Sequence, residues 1–162
     1  MKAWVFKKGS RIRHLLNWWP PFLFTGIKIT HLADDFRYCR VVLKDRPWTK
    51  NANGTQFGGS LFAMTDPIYA LMLMGLLGKR YHVWDRAARI HFEKPGIGPV
   101  VAEFRVTDGL LEAIEQGTVA GEKYLPELVT DIKDCQGDLV AQIERTLYVR
   151  LKRQYRPKKE VA

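Results

Sequence analysis

The chain contains one long apolar stretch, Gly59-Ser-Leu-Phe-Ala-Met-Thr-Asp-Pro-Ile-Tyr-Ala-Leu-Met-Leu-Met-Gly-Leu-Leu77. A segment that is apolar on nearly every side is typical of a helix buried in the core. It is followed by Gly78, Lys79 and Arg80, residue types that commonly end helices. The stretch therefore predicts one long central helix over Gly59–Leu77.

Asp66 is the one charged residue in this stretch. An ionised carboxylate is costly to bury without partners, so Asp66 is the strongest candidate in the chain for chemistry. The alternative is a structural role in which Asp66 only receives a local hydrogen bond. Pro67 follows directly and lacks an N–H, so we expect a kink here that either aims Asp66 into a pocket or merely bends the helix.

Alternating apolar and polar residues on both sides of the helix predict half-buried strands. Before the helix, Ile27, Ile29 and His31 are expected to share one strand face, and Tyr38–Lys44 forms a second strand. Four further alternating segments follow the helix, around residues 88–92, 101–106, 128–132 and 139–151. On the apolar face of the last segment Arg145 is the exception. An antiparallel sheet wrapped on a buried helix is an α+β fold.

Two shorter helices are also predicted. Ser10 is expected to cap a helix through Asn17, and Asp108 to cap one through Glu115. The basic, aromatic stretch that ends in Trp18-Trp19-Pro20-Pro21 could lie on a membrane surface. We expect instead that its aromatic side chains cover one end of the core.

The length of 162 residues suits one domain with a substantial core. The expected organisation is a capping helix and aromatic segment over residues 1–25, a sheet-and-helix domain over 26–152, and a basic tail over 153–162. The apolar fraction of 46% and charged fraction of 27% are those of an ordinary globular protein.

The formal net charge of +9 raises the hypothesis of nucleic-acid binding. The positive charge, however, concentrates at the two ends, in Lys2–Arg13 and Arg150–Lys159, and lacks any recognised zinc-finger, RNA-recognition or basic-zipper spacing. A solvated basic rim, or a surface that favours a phosphorylated ligand, explains this distribution better. We therefore expect no nucleic-acid partner.

The two cysteines, Cys39 and Cys135, have no ligand spacing with each other or with histidines, so we expect neither a disulfide framework nor a metal site. No apolar run approaches the roughly 20 residues that a bilayer crossing needs. Arg11–His14 and Pro20-Pro21 interrupt any secretory signal pattern. These features predict a cytoplasmic protein without stable membrane insertion.

The segment Asn51-Ala-Asn-Gly-Thr-Gln-Phe-Gly-Gly-Ser-Leu-Phe-Ala-Met-Thr-Asp66 resembles the signature of hotdog-fold acyl-CoA thioesterases of the phenylacetate-pathway type. That family shows an Asn, a Gly three residues on, a His-Gly-Gly and an acid seven residues past the second Gly. The chain matches it at Asn51, Gly54, Gly58-Gly59 and Asp66. The element order from Ile27 to Leu151 also looks like a hotdog, an antiparallel sheet around one long central helix.

Phe57 is the main departure from this pattern, since it stands where the thioesterases usually carry His. A phenyl ring cannot supply the hydrogen bonds of imidazole, so substrate positioning or leaving-group assistance would differ. The segments Leu15–Pro21 and Gly54–Gly59 look closest to a bacterial branch of hotdog proteins of undefined function.

The resemblance implies roles for the matched residues. The N–H of Gly58 is the leading oxyanion donor, with Gly59 next, because a helix N-terminus presents free N–H groups and glycine allows close approach. Asp66 would act as general base for water or attack directly. Asn51 would bind the substrate carbonyl or a nearby water, unless it is a plain loop residue.

Phe57, Gly54 and Thr65 are predicted to contact the substrate. Thr65 could also orient Asp66, although a hydroxyl that bonds back to its own helix is the commoner arrangement.

Helix geometry predicts that the site is shared between two subunits. Seven residues along a helix from Gly59 to Asp66 span roughly 10 Å, so one substrate carbonyl cannot meet both groups. An antiparallel second helix would bring a partner's acid near the first chain's glycines, as the family's dimeric sites imply.

The function predicted from these residues is an acyl-CoA thioesterase without metal or cofactor. It would act on acyl-CoA or another acyl thioester as a homodimer or a dimer of dimers. A non-catalytic acyl or acyl-CoA binder is the main alternative. A hotdog dehydratase and a nucleic-acid-binding protein are weaker ones.

Overall fold

The computed structural model describes residue 6 and residues 8–157. This part of the chain contains five α-helices and seven strands. The helices are α1 (Gly9–Asn17), α2 (Pro20–Thr25), α3 (Gly58–Ala63), α4 (Ile68–Leu77) and α5 (Asp108–Thr118). The strands are β1 (Ile27–Leu32), β2 (Tyr38–Leu43), β3 (Tyr81–Phe92), β4 (Val100–Arg105), β5 (Lys123–Tyr124), β6 (Glu127–Lys133) and β7 (Leu139–Leu151).

The strands form one antiparallel sheet in the order β1-β2-β4-β6-β7-β3, and the short β5 pairs with β7. The predicted α+β class, an antiparallel sheet around a central helical segment, is confirmed. β1 and β3 lie at opposite edges of the sheet. β5 was not predicted, because two residues are too few for alternation to be visible.

The central helical segment begins at Gly58 and is interrupted at Met64–Pro67. The interruption falls where a proline predicts a kink, since Pro67 cannot donate to the preceding turn. Leu61 and Met64 on one side and Leu73 on the other are buried in the common core. The break therefore holds Asp66 outside regular helical geometry, with buried turns on either side.

The helical segment over residues 58–80 does have the length and composition of a membrane span, contrary to the sequence expectation. Half of its most apolar window is buried inside the fold. Because the sheet supplies that burial, the segment is the core helix of this domain.

The predicted caps Ser10 and Asp108 are wrong. Helix α1 already begins at Gly9, and the carboxylate of Asp34 accepts a hydrogen bond from the Ser10 N–H at 3.1 Å. Helix α5 is capped by Thr107, whose hydroxyl accepts from the Leu110 N–H at 3.2 Å. In the first case the partner lies 24 residues away, which local spacing cannot reveal.

The prediction that His31 shares a strand face with Ile27 and Ile29 is also wrong. The pairing register with β2 shifts between Ile29 and His31. Such a bulge reverses the side-chain alternation beyond it. Leu32 is consequently buried at 7% exposure, and His31 faces outward.

The aromatic segment after α1 covers the core only in part. Phe22 is 2% exposed, but Trp18 and Phe24 are 76% and 72% exposed. Pro20-Pro21 begins helix α2 as well as following α1, since proline is favoured in a first helical turn.

The basic tail predicted over 153–162 is described only as far as residue 157. Arg153–Tyr155 forms a short 3-10 turn, and the Arg156 Nε donates to the Leu151 carbonyl at 2.8 Å. Residues 158–162 lie outside the described part.

We predict that Gly75→Ala destabilises the fold. A Cβ at Gly75 would lie 2.5 Å from the ring of Phe36, which is itself buried. Overpacking of this kind costs about 2 kcal/mol of unfolding free energy. Gly109→Ala is the matched control, since nothing lies within 4 Å of its Cβ in helix α5, and it should raise stability by up to about 1 kcal/mol. Urea unfolding measures both. Equal stability of the two variants would contradict the packing inferred around Gly75.

Candidate active site

Arg145 is a buried cation on the apolar face of β7. Its side chain is 4% exposed and lies between the buried Ile143 and Leu147 of the same strand face. A charged side chain in such a position must be paired and hydrogen-bonded. Its partners therefore identify where the fold has placed opposite charge.

The Arg145 guanidinium joins two carboxylates from different elements. Its Nη1 lies 3.2 Å from Asp66 Oδ1, in the break between α3 and α4, and 3.3 Å from Asp85 Oδ2, in β3. Its Nη2 donates to the Thr65 hydroxyl at 3.2 Å. The carbon of the guanidinium also lies 5.5 Å from the Phe62 ring centroid. We call Arg145, Asp66 and Asp85 the acid cluster, which carries a formal charge of −1 when all three are ionised.

Asp66 is the accessible member of the acid cluster. Its contact with Arg145 uses Oδ1, and its side chain keeps 49% of its exposure. The carboxylate is thus anchored at one oxygen and open to solvent on one side. Anchoring without enclosure suits a group that must meet a substrate.

Asp85 is the enclosed member. Its side chain is 24% exposed, and Oδ1 is buried with no hydrogen-bond partner in the described part of the chain. Burial raises the pKa of Asp85, the nearby Asp66 charge adds to the rise, and Arg145 opposes it. Asp85 therefore holds a proton more readily than an ordinary aspartate.

The glycine pair lies at the N-terminus of α3, where Phe57 is the N-cap residue. The first N–H groups of a helix have no acceptor within it. Gly58 lines an open cleft of about 410 Å³ together with Asn51, Leu61 and Phe92. The structure thus brings two predicted site residues, Asn51 and Gly58, to one cleft. Asp66 is not among the described residues that line it.

Two phenyl rings lie close to the glycine pair. A Cβ at Gly59 would overlap the Phe57 ring, and a Cβ at Gly58 would lie 3.0 Å from the Phe92 ring. Phe57 itself is 55% exposed. A side chain at either position would therefore displace an exposed phenyl ring, by more at Gly59 than at Gly58.

The predicted substrate contacts Asn51 and Gly54 belong to one hydrogen-bonded loop. Asn51 Oδ1 accepts from the N–H of Asn53 at 2.9 Å and of Thr55 at 3.2 Å, and its Nδ2 donates to the Thr55 hydroxyl at 2.9 Å. Gly54 turns the chain with φ of 74°. In this state Asn51 orders the loop, and its contact with substrate stays a prediction.

Thr65 supports the acid cluster from the helix side. Its hydroxyl donates back to the Phe62 carbonyl at 2.9 Å and accepts from Arg145. It therefore orients the cation that holds Asp66. Direct contact of Thr65 or Phe57 with substrate stays a prediction.

The contacts of Arg145 and Asp85 with Asp66 were not predicted from the sequence. Arg145 had a visible signal, since it is the one charge that interrupts the apolar face of β7. Asp85 had a weaker one. It is an acidic residue close to the alternating segment at 88–92, and only the structure shows that it lies next to a register shift between Asp85 and Ala87. Bulges often lie beside active sites and re-aim a side chain.

The described part of the chain contains neither a disulfide nor a cluster of metal-binding side chains. Cys39 and Cys135 are free, and burial raises the pKa of Cys39 to about 12. Within the described residues, no group of three His, Cys, Asp or Glu side chains is arranged to hold a metal ion.

We predict that Arg145→Met destabilises the protein in a pH-dependent way. Removing the cation leaves two close carboxylates unneutralised, which costs about 3 kcal/mol at pH 7. Burial raises the folded-state pKa of Asp85 and Arg145 opposes that rise. Without Arg145 this pKa lies further above the unfolded value of about 3.9, so the variant loses stability as the pH climbs through that range.

Urea unfolding of Arg145→Met should therefore show a smaller deficit at about pH 4.5 than at pH 7. Arg89→Met is the control, since its side chain is 72% exposed and its loss should change little. A deficit that does not vary with pH would contradict the electrostatic role of Arg145.

Comparison with known proteins agrees with this architecture. A Pseudomonas aeruginosa protein of unknown function, named as a probable thioesterase, superposes with a TM-score of 0.79 at 19% identity, covering 88% of this chain and 95% of that one. The PaaI protein of the E. coli phenylacetic acid degradation operon superposes with a TM-score of 0.62 at 17% identity, covering 93% of this chain and 94% of that one. Thioesterase superfamily member 2 from Mus musculus superposes with a TM-score of 0.62 at 18% identity, covering 91% of this chain and 98% of that one.

These structures are hotdog proteins of the thioesterase superfamily, so the predicted fold family is confirmed. No curated protein matches the sequence. The model of a family described as a domain of unknown function, DUF4442, matches residues 9–149. The chain therefore belongs to the DUF4442 family and has the hotdog fold.

Proposed function

We propose that this protein is a cytoplasmic thioester hydrolase that converts an acyl-CoA, or another acyl thioester, to the free acid and the thiol. The observation that best supports the proposal is the half-exposed Asp66 carboxylate, held in the break of the core helix by a buried arginine. The names of several structural neighbours point to the same reaction class.

The site requires two subunits. Asp66 lies at the far end of α3 from Gly58, and the cleft that Gly58 lines does not include Asp66. β3 supports pairing between subunits, because it is a 12-residue edge strand whose residues are mostly exposed, including Phe92 at 56%. A long unpaired edge is a template for another strand. An antiparallel β3–β3 pairing about a two-fold axis would also set the two core helices antiparallel.

The proposed reaction uses Asp66 of one subunit and the Gly58 N–H of its partner. Asp66 takes a proton from water, whose oxygen adds to the thioester carbonyl carbon. The developing oxyanion accepts from the Gly58 N–H, with Gly59 next to it. The tetrahedral intermediate then expels the thiolate by breaking the C–S bond, and the thiolate takes the proton that Asp66 had removed from water, which regenerates the Asp66 carboxylate. Asp66 could alternatively attack directly and form a mixed anhydride that water hydrolyses.

Arg145 and Asp85 act as positioning residues in this scheme. Arg145 fixes one oxygen of Asp66 and leaves the other side open. Asp85 contacts the same Nη1 atom as Asp66, so the two carboxylates share the charge of Arg145. A carboxylate that is anchored but only partly neutralised suits general-base work.

We predict that Asp66→Asn abolishes thiol release while the protein stays folded. The amide keeps an oxygen for Arg145 but cannot accept a proton from water, so turnover should fall by at least about 100-fold. Asp108→Asn is the matched control, since its side chain is 83% exposed and remote from the cluster. A thiol-release assay over short, medium, long and aromatic acyl-CoAs measures both. Unchanged turnover of Asp66→Asn would refute the assignment.

We predict that Gly58→Pro removes the oxyanion donor without disturbing the helix. Gly58 is the first helical residue, where proline is favoured, and Phe57 before it has φ −66° and ψ 127°, as a residue before proline requires. The N–H is lost, and the added Cβ requires the same small shift of the Phe92 ring as in Gly58→Ala, so kcat should fall about 100-fold or more relative to that variant.

Gly58→Ala is the control for Gly58→Pro because it retains the N–H. It should keep most of the activity after a small shift of the Phe92 ring. Equal turnover of the Pro and Ala variants would exclude this N–H from the reaction.

A non-catalytic acyl or acyl-CoA binder is the second candidate. Phe57 favours it, because the exposed ring beside Gly59 cannot assist a leaving group as imidazole would. Two results together would select the binder. The unmodified protein would bind acyl-CoA saturably without releasing thiol from any substrate of the panel, and Phe57→His would gain turnover. Thiol release by the unmodified protein would select the hydrolase.

A further inference from the structure

Six large apolar side chains are exposed on segments next to the β1 edge of the fold, and three of them, Trp18, Leu23 and Trp48, line one cleft. They come from the end of α1, from α2 and from the turn after β2, and we call them the aromatic patch: Leu15, Trp18, Trp19, Leu23, Phe24 and Trp48. Their exposed fractions run from 42% for Trp19 to 76% for Trp18. Exposed apolar groups that cluster in this way mark an interaction surface.

Basic side chains surround a cleft beside this patch. The cleft has a volume of about 630 Å³ and is lined by Trp18, Leu23 and Trp48 from the patch. The charged or titratable residues that line it are Arg13, His14, Lys28, Lys44 and Arg46. No carboxylate in the described chain forms an ion pair with any of these five, and no described acidic residue lines the cleft.

The position of the aromatic patch separates it from the proposed dimer. β1 is the edge strand opposite β3, so a dimer formed through β3 leaves the patch free at the distal end of each subunit. Helices α1 and α2 are anchored beneath it by the buried Ile12, Leu16 and Phe22. The exposed aromatic groups thus stand on a rigid base and do not need to unfold to reach a partner.

We propose that the aromatic patch docks the protein on the surface of a bilayer that contains anionic phospholipids. Trp, Phe and Leu beside Lys and Arg are the residue types of interfacial membrane segments. The aromatic rings would enter the headgroup region, and the basic cleft would receive a lipid phosphate. A soluble anion would occupy only the cleft and would leave Leu15, Trp19 and Phe24 exposed to water. A lipid surface would cover these apolar side chains and also supply a phosphate to the cleft, so it accounts for both features.

Vesicle co-sedimentation of the full-length protein tests this. The protein should bind vesicles of phosphatidylcholine with phosphatidylglycerol, bind phosphatidylcholine vesicles weakly, and dissociate at high salt. Trp18→Ala with Phe24→Ala should weaken binding at least about tenfold. The double variant Lys28→Gln with Arg46→Gln should also bind anionic vesicles more weakly, by about fivefold for each lost charge.

Matched controls lie outside the patch. Ile97→Ala removes a 74% exposed apolar side chain, and Lys123→Gln removes an exposed charge, and both should bind like the unmodified protein. Thermal melting of each variant verifies folding, and binding is measured without reference to hydrolysis.

Three results would overturn the proposal. The first is no binding to anionic vesicles by the folded protein, or binding that the patch variants do not weaken. The second is coenzyme A binding that is lost in Trp18→Ala, without vesicle binding, which would make the cleft a nucleotide site. The third is a smaller oligomer in Trp18→Ala with Phe24→Ala, without vesicle binding, which would make the patch a contact between copies of the chain.

Discussion

The ion pair between a buried arginine and two aspartates ties the core helix to the sheet. Arg145 comes from β7, Asp66 from the helix break and Asp85 from the edge strand β3. Burying a guanidinium on an apolar strand face is unfavourable unless its charge is matched. The same contact fixes the position of Asp66 and places Asp85 close enough to influence it. Stability and the proposed chemistry therefore depend on one cation.

The proline break explains how a carboxylate can exist inside a core helix. The turns on both sides of Met64–Pro67 are buried, so the helical segment cannot swing outward as a whole. Pro67 instead opens the helix locally and lets Asp66 keep about half of its exposure. In the proposed function this geometry gives the reacting group a fixed base and an open side.

The parts of the fold that depend on local patterns were predictable from the sequence. Alternation indicated β4, β6 and β7, and the apolar stretch with Pro67 indicated a core helix with an irregularity near Asp66. The bulge in β1 and the capping of α1 by Asp34 were not predictable, because each depends on a partner distant in sequence. The partners of Arg145 were hidden for the same reason, since Asp66 lies 79 residues away.

The two proposed interactions use opposite edges of the sheet. β3 offers a long unpaired strand to a second subunit, which the proposed site needs because Asp66 is not among the described residues that line the Gly58 cleft. The β1 edge offers aromatic and basic groups that such a dimer leaves uncovered. A dimer built in this way would present two equivalent patches at its ends.

The most direct measurement is to mix two inactive variants, Asp66→Asn and Gly58→Pro, after dissociating and reassociating their subunits. If one subunit's carboxylate acts with its partner's amide, each mixed dimer contains one intact site and one doubly altered site. Statistical mixing makes half of the dimers mixed, so thiol release should return to about a quarter of the unmodified activity. Failure to regain activity, with mass measurements showing that mixed dimers have formed, would contradict the shared site.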